Sequence, residues 1–77
     1  MEYSKYATMT ERELVRAWAT NWVKHEDSYL QNDTQGCIDA DKEMSKVEDI
    51  LYCKFEWTGE MLRDLYHYSR EGLIKVN

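Results

Sequence analysis

Apolar residues recur at helical spacing along most of the chain, and each run begins at a recognisable cap. In "MTEREL", residues 9–14, Thr10 is placed to cap a helix and Glu13, three residues on, completes a capping box. Met9 and Leu14 flank the box as a hydrophobic staple. From there Leu14, Val15, Trp18, Ala19, Trp22, Val23, Tyr29 and Leu30 cover about half of a helical cylinder. Arg16, Thr20, Lys24, Asp27 and Gln31 occupy the other side. An apolar arc that wide calls for two neighbours, or for one neighbour and a partner.

The second periodic run predicts a helix over 34–55. Cys37, Ala40, Met44, Val47 and Leu51 alternate spacings of three and four, a heptad-like seam that Phe55 extends by a turn. Either a two-stranded coiled coil or a helical hairpin produces such a seam, and one this short favours the hairpin. A single helix running through 32–36 would instead give an extended dimer. Gly36 tests the point: a sharp turn with positive φ there makes Gly36→Ala destabilising, whereas a continuous helix makes it stabilising.

"WTGEML", residues 57–62, opens a third helix with the same device, Thr58 as the cap and Trp57 and Leu62 as the staple. Met61, Leu62, Leu65, Tyr66 and Ser69 share one face. Gly72 suits a left-handed ending with Leu73 folded over Tyr68, and the apolar tail "LIKVN" is expected to dock. The chain contains no proline, and its three glycines lie near the breaks. The expected fold is all-α: a small up-down-up three-helix bundle with helices over roughly 10–31, 34–55 and 58–71. Residues 1–77 then form a single helical domain with a short N-terminal arm that carries Tyr3 and Tyr6.

Composition changes this picture only in detail. Ten aromatic residues in 77 supply the bulk that so short a chain needs for a core. No run of about 18 apolar residues offers a membrane span, and "MEYSKYATM" lacks the apolar stretch of a secretory leader. Cys37 and Cys53 lie on one expected helix, roughly 24 Å apart at 1.5 Å per residue, beyond the reach of a disulfide. Two unpaired thiols fit a reducing compartment, so a cytoplasmic location is expected.

Charge is more informative, because it is uneven. The chain carries −5. Residues 25–49 hold Glu26, Asp27, Asp33, Asp39, Asp41, Glu43, Glu48 and Asp49 against Lys42 and Lys46, so the acidity belongs to that segment. Such a field repels phosphate and argues against direct nucleic-acid contact, while it suits a basic partner. A helix-turn-helix reading fails on the same ground, since Arg63 and Arg70 of its recognition helix face Glu60, Asp64 and Glu71.

Catalytic and metal chemistry find little support. In "QNDTQGCIDADKE", residues 31–43, setting Gly36 sixth as in a calcium loop puts Lys42 where the bidentate carboxylate belongs. Cys37, Cys53, His25 and His67 have no zinc-site spacing, and Asp64 with His67 is a single pair. His25 falls on the apolar arc of the first helix, where a core histidine bonded to a carbonyl or tyrosine is expected. No nucleophile stands with a base and an oxyanion turn, and no phosphate-binding glycine loop occurs. The expectation is a non-enzyme without cofactor or metal.

What remains is protein binding. The expected function is a small acidic interaction module that inhibits or modulates a larger protein with a basic surface, by mimicking nucleic-acid charge in one version. Trp22, Glu26, Asp27, Tyr29, Asp33, Asp39, Asp41, Glu43, Glu48 and Asp49 are the residues assigned to that surface. Chains of this size and charge are frequent among phage and mobile-element effectors, an expectation from the class and not from these residues. The alternative is a structural or regulatory homodimer.

Overall fold

Residues 4–70 are described by the structure, a computed structural model. They form four helices: α1 (Ser4–Ala7), α2 (Glu11–Leu30), α3 (Thr34–Phe55) and α4 (Gly59–Arg70). The described residues are otherwise turns and connections without a strand, and the three long helices fit a three-helix bundle. None of these helices is long and apolar enough to cross a membrane.

The caps fall where local chemistry asks for them. Thr10 Oγ1 accepts from the Glu13 amide at 3.2 Å, and the Glu13 carboxylate accepts from the Thr10 amide at 2.8 Å. Two of the amides left open at the start of α2 are thereby satisfied. Thr58 Oγ1 accepts from the Met61 amide in the same way at 3.3 Å. Between α2 and α3 the chain turns on Asn32, whose φ of 59° is left-handed. The Asn32 amide donates to the Tyr29 carbonyl and the Asp33 amide to the Ser28 carbonyl, at 3.1 and 2.7 Å. That is a Schellman ending with asparagine in the place glycine usually takes. Asp33 then caps α3 by accepting from the Gly36 amide at 3.0 Å.

Gly36 therefore differs from its expected role. It lies inside the first turn of α3, and the positive φ belongs to Asn32. What requires glycine is a close approach: a Cβ at 36 would run into Ser28 Oγ and stand 2.6 Å from the Asp33 carboxylate. A methyl group fits here only if the Ser28 hydroxyl and the Asp33 carboxylate move aside.

From that turn α2 and α3 run antiparallel along each other. Trp18 meets Glu48 and His25 meets Asp41, so the pairing proceeds in opposite directions on the two helices. Ala40, Met44, Val47 and Leu51 are all buried, with Cys37 half-buried, so the seam packs inside the hairpin as expected. The start of α4 is tied to the start of α2 by the Trp57 indole N–H, which donates to Glu11 at 2.6 Å. Tyr66 reaches Trp22 farther along, with ring centroids 4.7 Å apart.

The N-terminal segment departs from the expected arm. Residues Ser4–Ala7 form a helical turn whose Tyr6 is buried at 2% exposure beside Leu14, Trp18, Val47, Leu51 and Leu65. Tyr6 is a core residue, not an exposed anchor. The expected ending at Gly72 and Leu73, the docked tail and Tyr3 lie outside the described residues, as do the side chains of Tyr68 and Ser69.

Candidate interaction surface

The acids of residues 25–49 divide into two groups once the helices are placed. Glu43 is half-buried and tied on several sides: the Tyr6 hydroxyl donates to it at 2.5 Å, Lys46 at 3.0 Å and Lys5 at 3.5 Å. These contacts, with the Tyr6 hydrogen bond the largest, hold its carboxyl at about 2 even though burial opposes them. Burial and the bond to Glu43 push the Tyr6 phenol up. Glu48 is half-buried and accepts from the Trp18 indole N–H at 2.9 Å. Both glutamates were expected on the partner-facing surface, and both instead fasten helices together.

Three aspartates are also engaged locally. Asp33 caps α3, Asp39 accepts from Gln35 Nε2 at 2.9 Å, and Asp41 Oδ1 lies 3.6 Å from His25 Nε2. Asp49 is exposed and has a partner of its own. The expectation for His25 is corrected in its partner: Nε2 faces a carboxylate across the hairpin, and Nδ1 is buried without a hydrogen bond. The His25 backbone carbonyl is the atom that accepts, weakly, from Cys37 Sγ at 3.7 Å.

Of the eight acids, Glu26 and Asp27 remain with no side-chain partner among the described residues. Asp27 is exposed and Glu26 half-buried. Tyr29 at 68% and Leu30 at 76% are the most exposed large apolar side chains of the described residues. Trp22 is half-buried, parallel at 8° to Trp18 on one side and to His25 on the other, with the Tyr66 ring set against it. Trp18 and Trp57 each spend the indole N–H on a glutamate, whereas that of Trp22 has no acceptor among the described residues. The sequence assigned Trp22, Glu26, Asp27 and Tyr29 to the surface; all four lie on the second half of α2, Trp22, Glu26 and Tyr29 on one face and Asp27 turned away from it. It missed Leu30, Val23 and Tyr66 as members of that face, because an apolar arc on one helix does not reveal where its neighbour stops.

Other concave features are shallow. An open groove of about 590 Å³ lies where Ala7 meets Asp49, Ile50, Cys53 and Lys54 of α3. A second, of about 400 Å³, surrounds the turn between α2 and α3. Among the described residues no three His, Cys, Asp or Glu side chains gather as metal ligands.

The described residues make a small all-helical protein. Compared with known protein families, with curated proteins and with solved structures, the chain matches none.

Proposed function

We propose that this chain is a protein-interaction module that binds a basic surface on a larger cytoplasmic protein and modulates or blocks it. The observation that carries the reading is the coincidence of unpaired acids with uncovered aromatics. Glu26 and Asp27 have no side-chain partner among the described residues, and Glu26 stands among Trp22, Tyr29 and Leu30, while most of the segment's other acids are engaged within the fold. Aromatic side chains beside charge are the common makeup of interface hot spots. The outward-facing Asp39, Asp41 and Asp49 extend the negative field beyond that face and would steer a basic partner toward it.

The homodimer reading has less behind it. It rests on the apolar half-cylinder of α2 together with the heptad-like seam, and the seam is spent inside the α2–α3 hairpin. Affinity capture from a cytosolic lysate at low and at moderate salt tests the proposal. A partner with a basic surface should be retained at low salt and largely released at moderate salt, because exposed charges are screened within about 10 Å at 0.1 M. Retention that is indifferent to salt, or capture of acidic proteins only, contradicts it.

A further inference from the structure

Glu26 occupies an unusual position for a carboxylate. Its neighbours on the helix surface, at three and four residues in either direction, are Trp22, Val23, Tyr29 and Leu30, all apolar or aromatic. The side chain is half-buried, and no lysine, arginine, hydroxyl or amide of the described residues reaches it. A carboxylate partly withdrawn from water with no compensating cation is a cost to the folded chain. The surrounding apolar groups are themselves uncovered: Val23 is 42% exposed, Leu30 76%, and Tyr66 of α4 38%. The N–H of Trp22 beside it has no acceptor among the described residues.

We infer that this face takes an arginine-bearing amphipathic helix of another protein. The inference rests on the proposed function and narrows it to one site and one chemistry. A guanidinium satisfies two features together. It forms a two-pronged pair with the Glu26 carboxylate, and its methylene stem lies along Leu30. Leucines flanking that arginine cover Val23, Tyr29 and Tyr66, in the manner of an apolar helix face laid onto a partner. Lysine meets the charge but not the fork geometry, so arginine is preferred.

The test titrates the isotope-labelled full chain with a synthetic amphipathic helical peptide that carries arginines beside a leucine face. A twin peptide with glutamates in place of the arginines serves as the control, and amide and indole shifts are followed. The arginine peptide should give saturable shifts centred on Trp22, Glu26, Leu30 and Tyr66, and the glutamate twin none. Glu26→Gln should weaken binding by about tenfold, the factor that loss of one charge-assisted pair gives. Leu30→Ala, at an exposed position that folding does not need, should weaken it as well. The inference is overturned if shifts centre on α3, if Glu26→Gln binds as tightly, or if no shift occurs up to the solubility limit. It is also overturned if the same residues shift with protein concentration alone, since a second copy then covers the face. A salt-sensitive partner captured equally by wild type and Glu26→Gln would sink this inference and leave the proposed function standing.

Discussion

Glu43 shows how much one side chain can hold. It accepts from Tyr6 of α1 and from Lys46 of α3 and stands 3.5 Å from Lys5, so it fixes a four-residue helix to a long one. A helical turn that short has no stability of its own, and its order comes from the buried Tyr6 ring and this carboxylate. The folded carboxyl sits at about 2, below its ordinary 4.5. A lowered folded value means stabilisation that is complete above the ordinary value and fades as pH falls toward about 2. Urea midpoints measured on either side of pH 4.5 should therefore fall more steeply with acid in the wild type than in Glu43→Gln. The variant should be the less stable of the two at neutral pH. Parallel acid curves would show that Glu43 does not latch α1. None of this was legible in the sequence, where Glu43 was one acid among eight. Which acids turn inward depends on the register between α1, α2 and α3, and that register is a tertiary property.

At the scale of elements, the ends of the helices were readable and their contacts were not. Thr10 with Glu13, Asp33 and Thr58 act through bonds spanning three residues, so the local sequence contains all the information needed. The seam of α3 was readable for the same reason, as a periodicity within one helix. Gly36 was harder. Its identity pointed to a turn, but the turn is made by Asn32, and the glycine answers to Ser28 on the opposite helix. Gly36→Ala should accordingly destabilise the chain by about 1–3 kcal/mol through overpacking, outweighing the gain of up to about 1 kcal/mol in helix propensity. Ser28→Ala removes the hydroxyl that the new methyl meets and should recover part of the loss. Urea denaturation of the two single variants and the double variant measures that coupling, and strictly additive effects would place the strain elsewhere. The left-handed Glu56 that ends α3, at φ 57°, escaped the sequence altogether, because glutamate gives no hint of that conformation.

For the whole molecule, the tryptophans and acids are distributed by a simple logic. Trp18 and Trp57 stitch helices through their indole N–H groups to Glu48 and Glu11, while Trp22 sits at the edge of the core with no acceptor for its N–H among the described residues. Acids that were a single stretch in the sequence become structural acceptors for the most part, with Glu26 and Asp27 lacking a side-chain partner among the described residues. The sequence could not say which acids are spent on folding. The central claim is that Glu26 and Asp27, without side-chain partners among the described residues, meet a basic protein. It is tested most directly by the salt dependence of affinity for the captured partner, measured for wild type and for Glu26→Gln/Asp27→Asn. Wild-type affinity should fall steeply as salt rises, and the variant should start weaker and fall less. Two curves that superimpose would contradict the account.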